Sequence, residues 1–327
     1  FSQGTGAEAD CVIDNLTGLM WPREDSFTGL SWSDALTAAN NYSRCGYTDW
    51  RLPNVNELKS LINYGEILNY TWLNGFSINV SPDAYWTSTT RVNNINDAYT
   101  VHMQDYYLLT FDKVNLFPHA IPVRGNSNGY LAKVIITGQT SSMPIVAPVG
   151  ADGDIMAGEP WPITRFVEEG ECIIDYLTGL MWPKNGVIGF EDFDNAGPSL
   201  QPNYGNVIIN LNRLNWHDAI QAINNMNIAA VKLCGYSDWR LPNTNELSSL
   251  INYGADISVG PNYNLDWLMM NGFENMTVSF YWTSADWIGG MVRRVSLKQG
   301  TINPVLVDNL NYVLPVRSLI YNQESNE

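Results

Sequence analysis

Apolar positions in this chain come in short runs separated by Asn, Asp, Gly and Thr, and the runs recur in the same order in two halves. CVIDNLTGLMW (11–21) and CIIDYLTGLMW (172–182) place apolar residues on both sides of a Thr-Gly turn. That is a hairpin pattern, with Gly18 or Gly179 taking the positive φ. SWSDALTAANNY (31–42) predicts a helix: Ser31 caps it, Asp34 stands at the third position, and Leu36, Ala39 and Asn40 follow at helical spacing. WHDAIQAINN (216–225) answers it in the second half. From YWTS (85–88 and 281–284) to PVR (122–124 and 315–317) the pattern predicts short antiparallel strands. The last of them is placed to pair with the opening hairpin.

The longest repeat is CGYTDWRLPNVNELKSLINYG (45–65), which returns as CGYSDWRLPNTNELSSLINYG (234–254). Of its 21 positions three differ: Thr48/Ser237, Val55/Thr244 and Lys59/Ser248. TDWRL reads as a strand that Pro53 breaks. Asn54 with Glu57 then forms a capping box for a helix carrying Leu58, Leu61 and Ile62 on one face, and Gly65 and Gly254 are its natural stops. The fold class expected is α+β, as two tandem domains, each with two helices and a set of short antiparallel strands. The first domain is expected over 1–125 and the second over 166–320, with an insertion at 185–211. Between them lies a leader or linker at 126–165 with a strand-like stretch at 130–137 (YLAKVIIT), and 321–327 is a tail.

D-x-L-T-G-L-M-W, the W-x-D-A helix, C-G-Y-x-D-W-R-L-P-N-x-x-E-L, Y-W-T-S and the terminal V-R together resemble the Lcl C-terminal domain family, the domain that closes a collagen-like bacterial surface adhesin. The resemblance covers both halves. W-R-L-P-x-x-x-E-L is also similar to a motif of formylglycine-generating-enzyme-like domains. Both resemblances imply a C-type-lectin-like fold, and the first implies an exported bacterial protein of the cell surface. TGQT (137–140), GADGDIMAG (150–158) and WPITRF (161–166) resemble the leader that precedes such a domain. The family also implies binding of sulfated polysaccharides.

Charge changes that last expectation. With 17 basic and 33 acidic residues the chain carries −16, so neutral glycans or proteins suit it better, and nucleic acid is not an expected partner. No run of 18 apolar residues predicts a membrane span. The four cysteines allow three pairings. Because each half holds a complete pair, Cys11–Cys45 and Cys172–Cys234 are favoured over bridges between halves. Disulfides imply an oxidising, extracellular setting.

Candidate chemistry is sparse. Asp49, Arg51 and Glu57, with Asp238, Arg240 and Glu246, could be an acid/base set. Glu57 and Glu246 at the third helical position equally suit a capping role, and Arg51 suits a pairing with Asp49 or a neighbouring carboxylate, so all six read as structural. The three histidines share no motif, and no enzyme activity is expected. No cofactor is expected; calcium is the one metal considered, because Asp152-Gly-Asp154 with Glu159 resembles a fragment of a calcium loop. Gln201-Pro202-Asn203 resembles a lectin calcium triplet but falls in the insertion. Trp72, Tyr106, Tyr107, Trp267 and Trp287 lie in segments expected to be loops and are candidates for an aromatic ligand platform. The function expected is adhesion or ligand binding without catalysis. The alternative is a subunit of a self-assembling extracellular fibre, through strand exchange at 130–137 or head-to-tail contacts.

Overall fold

A computed structural model of the chain describes residues 1–24, 27–66, 68–76, 78–125, 132–142, 146–187, 213–256, 258 and 260–319. They fall into two units. Unit 1 comprises Phe1–Trp161 with Ile251–Asn264 and Gln299–Asn303; unit 2 comprises Pro162–Leu250, Leu265–Lys298 and Pro304–Glu327. Each is a mixture of short helices and antiparallel strands, so the α+β class holds. The division does not follow the repeat boundaries. The stretch 132–161, expected as the leader of the second domain, belongs to unit 1, and so do two short segments of the second repeat.

In unit 1 the hairpin forms as the pattern predicts. Strands β1 (Ser2–Gln3), β2 (Cys11–Ile13) and β3 (Met20–Pro22) run antiparallel in that order, with Gly18 at φ 73°. Arg124 of the PVR stretch bridges to Met20, joining the end of the repeat to its beginning. Helix α1 (Trp32–Asn40) starts where Ser31 accepts the Asp34 amide. Its buried face of Trp32, Ala35, Leu36 and Ala39 packs with Leu52, Trp86, Ala98 and Ala120. Helix α2 (Val55–Lys59) has the expected capping box but only five residues, ending at Ser60 rather than at Gly65. Leu61 and Ile62 nevertheless remain buried beyond its end. TDWRL is not a strand: within it only Arg51 makes a bridge, to Val123.

A third helix, α3 (Asn69–Gly75), was not expected, and its N-cap position explains why: Leu68 offers no capping side chain. Strands β4 (Ala84–Thr90), β5 (Asp97–His102) and β6 (Leu108–Asp112) form an antiparallel meander, with β4 buried at every position. Within the same unit Ile302 pairs with Leu108. The described part of the expected strand at 130–137 makes one bridge, Ile135 to Glu159, and is otherwise irregular. It leads into the short helix α4 (Asp152–Ile155).

Unit 2 repeats the plan. Strands β7 (Phe166–Glu169), β8 (Cys172–Asp175) and β9 (Leu180–Pro183) form the hairpin sheet. The strand β10 (Arg213–Leu214) precedes helix α5 (Trp216–Ile228), which Asn215 caps. Helices α6 (Thr244–Ser248) and α7 (Asn264–Met270) answer α2 and α3. Strands β11 (Phe280–Trp287) and β12 (Met291–Ser296) pair antiparallel. After β13 (Ile302–Leu306), the strand β14 (Asn311–Tyr312) lies between β10 and β11, and β15 (Arg317–Ser318) pairs with β9. As in unit 1, the chain's return to its own hairpin closes the repeat.

Both expected disulfides form, Cys11–Cys45 and Cys172–Cys234, with Cα–Cα distances of 6.4 and 6.3 Å. They fit a protein exported to an oxidising compartment. Among the described residues no helix is long and apolar enough to cross a membrane.

Candidate functional site

The charged residues of the repeated stretch sit where the capping box puts them. Glu57 accepts the Asn54 amide at 3.0 Å and takes both arms of the Arg51 guanidinium, at 2.6 and 2.5 Å. Glu246 does the same with the Asn243 amide (2.8 Å) and Arg240 (2.7 and 2.6 Å). Asp49 does not meet Arg51. It takes a two-pronged bond from Arg124 (2.7 and 3.1 Å), which holds its carboxyl below the ordinary carboxylate range. Asp238 takes the same bond from Arg317 (2.7 and 3.3 Å). Each of these arginines also lies over a tyrosine of the motif, Arg124 over Tyr47 at 3.5 Å and Arg317 over Tyr236 at 3.7 Å. All six charged residues are therefore occupied inside the repeat. Arg124 and Arg317 were missed as partners, although a V-R ending recurring with D-W-R in both halves was the available signal.

The surroundings of the two stretches differ. In unit 1 the described residues of 132–161 lie across α2 and the end of β4. The Asn54 side-chain amide donates to the Ala157 carbonyl (2.9 Å), and that of Asn56 to the Ile135 carbonyl (3.0 Å). The hydroxyls of Thr89 and Thr137 both donate to Asp152, each at 2.7 Å. Gln139 bonds the Thr90 backbone through both ends of its amide. Gly158, at φ 125°, has no room for a Cβ: it would stand 2.8 Å from the Val134–Ile136 backbone. Burial pushes the Asp152 carboxyl up to about 6 against the two hydroxyl bonds. Burial likewise brings Lys59 down to about 8, with its ammonium 6.0 Å from the Tyr253 ring.

The calcium candidates each have other engagements. Asp152 faces the two threonines, Asp154 accepts the Gly150 amide (2.9 Å), and Glu159 pairs with Lys133 (2.8 Å). Among the described residues no three His, Cys, Asp or Glu side chains form a group that could hold a metal ion. The Gln201-Pro202-Asn203 triplet and most of the insertion, from 188 to its end at 211, lie outside the described residues.

The aromatic candidates separate. Trp72 is on α3 rather than in a loop, half-buried, with its ring 5.6 Å from Phe1 and 5.2 Å from Phe76. Trp267 is on α7 and packs at 5.7 Å against Phe166. Tyr106 is withdrawn from any platform: it is buried at φ 61°, and its hydroxyl donates to the Glu66 carbonyl at 2.5 Å. Tyr107 is half-buried beside His102. Trp287, at the end of β11, is half-buried with the Arg293 guanidinium over its ring at 4.5 Å. Trp72 and Tyr107 thus belong to unit 1, and Trp267 and Trp287 to unit 2. The histidines also stand apart, His102 at 3.5 Å from Asp105 and His119 at 3.4 Å from Asp83.

A model of the Lcl C-terminal domain family matches residues 10–124 and again 171–317. No curated protein matches the chain.

Proposed function

The chain belongs to the Lcl C-terminal domain family, whose domain it carries twice, and from that premise we propose that it is an exported, non-enzymatic bacterial surface protein that binds neutral glycans or proteins in adhesion. The reading includes a C-type-lectin-like fold for each repeat, in which the common core is scaffold and the ligand meets what differs between the repeats. One observation carries it: the charged residues of the repeated stretch are spent on each other and on the terminal arginines Arg124 and Arg317. Arg51 with Glu57 and Asp49 with Arg124 have the same partners as Arg240 with Glu246 and Asp238 with Arg317. Side chains tied up in this way hold a fold together. The half-buried Trp287, which stands where the first repeat has Arg91, lies outside that common core and supplies a large, rigid contact face.

The fibre alternative had a donor strand at 130–137, and the described part of that stretch is engaged within unit 1 instead. Adhesion is therefore the reading taken first. Its test is an array of neutral glycans and matrix proteins probed with the purified chain. Saturable binding that falls about tenfold or more in Trp287→Ala is expected. An array without hits, together with no adherence of coated beads to cells, would sink it.

A further inference from the structure

The same motif is covered in one unit and bare in the other. In unit 1, Asn54 is 1% exposed, and Ser88, Thr89 and Thr90 at the end of β4 are all buried, Thr89 bonded to Asp152 and Thr90 to Gln139. In unit 2 the equivalent Asn243 and Asn245 are exposed, as are Ser284 and Asp286 on β11. Neither asparagine side chain has an acceptor for its amide hydrogens among the described residues, whereas Asn54 and Asn56 give theirs to the carbonyls of Ala157 and Ile135. The guanidinium behind them follows suit, 11% exposed for Arg51 and 44% for Arg240. The recognising side chains are thus retained in unit 2, while none of its described residues takes the place of what they recognise.

We propose that the open α6 face of unit 2, built by Asn243 and Asn245 with Ser284 and Asp286 beside them, docks a leader segment of the 132–159 type from an Lcl C-terminal repeat other than the two in this sequence. The occupant is a looped segment that offers backbone carbonyls to the two asparagine amides, as Ile135 and Ala157 do in unit 1. Its chemistry differs at one place. Thr89, which donates to Asp152, is replaced by Ala285, and Thr90 by the carboxylate of Asp286. A buried carboxylate would meet no hydroxyl from this position and would face a like charge, so the occupant carries a neutral or basic residue where 132–159 carries Asp152. Docking of this kind is independent of whether the ligand proposed above is a glycan or a protein.

The probe is a synthetic peptide of residues 132–161 bearing Asp152→Asn, titrated into the intact chain by calorimetry, with hydrogen exchange read at 243–248 and 284–286. One saturable site per chain is expected, with new protection at both stretches and weaker binding of the unsubstituted peptide. The chain carrying Asn243→Asp and Asn245→Ala should bind roughly tenfold or more weakly, since two hydrogen bonds are lost. Asn243→Asp keeps the oxygen that caps α6, so the helix itself is retained. Absence of saturable binding overturns the proposal. Binding that the paired substitution leaves unchanged does so too, because the peptide then sits elsewhere. Concentration-dependent self-association of the chain that the same substitution abolishes would make a second copy the occupant, and would equally overturn it.

Discussion

Residues 45–65 and 234–254 are nearly one sequence in two environments. Asn54 and Asn243 make the same cap, Glu57 and Glu246 accept the same guanidinium in the same two-pronged way, and both helices stop after five residues. Yet Glu57 is 1% exposed under 132–161, while Arg240 and Asn243 in unit 2 face solvent. Two of the three substitutions fall inside the helices. Lys59 is buried in unit 1 near the Tyr253 ring, and Ser248 takes its place in unit 2. The comparison separates two kinds of stability: bonds that a local stretch makes with itself, and the worth those bonds acquire from whatever covers them.

The sharpest test of that separation is the ion pair. Arg51→Ala leaves the Glu57 carboxylate buried without its cation, and unpaired buried charge costs about 3–5 kcal/mol. Arg240→Ala removes the same bond from a guanidinium that solvent already reaches, and is expected to cost about 1 kcal/mol or less. Urea denaturation of the two variants checks this; equal losses would break the comparison.

Next comes the pH dependence of the covering segment. Asp152 titrates at about 6 in the fold, raised by burial from 3.8, beside the hydroxyls of Thr89 and Thr137 and with Glu57 and Arg51 nearby. Between pH 4 and 6 the folded chain therefore holds a proton that the unfolded chain has released. Stability falls as pH rises through that window and stays lower above it, by on the order of 2–3 kcal/mol. Asp152→Asn should flatten this component in melts recorded from pH 4 to 8. A wild-type profile identical to that of the variant would remove Asp152 from the account.

The smallest difference concerns the disulfides, which close separations of 34 and 62 residues. Removing either pair is expected to cost about 2–4 kcal/mol, and the loop-entropy relation makes the Cys172–Cys234 loss larger by only about 0.5 kcal/mol. Denaturation of the Cys11→Ala/Cys45→Ala and Cys172→Ala/Cys234→Ala variants compares them directly. A much larger gap would show that one unit leans on its bridge far more than the other.

Much of this was legible in advance because it is local. The hairpin with positive-φ Gly18, the Ser31 cap, the Asn54–Glu57 box and the disulfide pairing all follow from residues near each other or from the repeat itself. The misses are equally instructive. Helix α3 carries no capping signal, TDWRL is extended without a partner strand, and α2 ends before its glycine. Among the candidate site residues, Tyr106 could not be distinguished from an exposed loop tyrosine until the Glu66 carbonyl was found receiving its hydroxyl. Trp72 and Trp267 were expected in loops and stand on helices, where neighbouring aromatics half cover them.

By itself the sequence determined that the chain is two copies of one α+β repeat, each with its own bridge and caps. The bridges follow from each half holding a complete cysteine pair; the caps and hairpins depend on contacts between close neighbours, and a cap or a hairpin reads the same wherever it is placed. Only the tertiary structure decided that 132–161 folds with unit 1, that Arg124 and Arg317 are the partners of Asp49 and Asp238, and that one motif is buried while its twin is open. Burial depends on which distant segment comes to lie over a surface, and no periodicity within the motif carries that information.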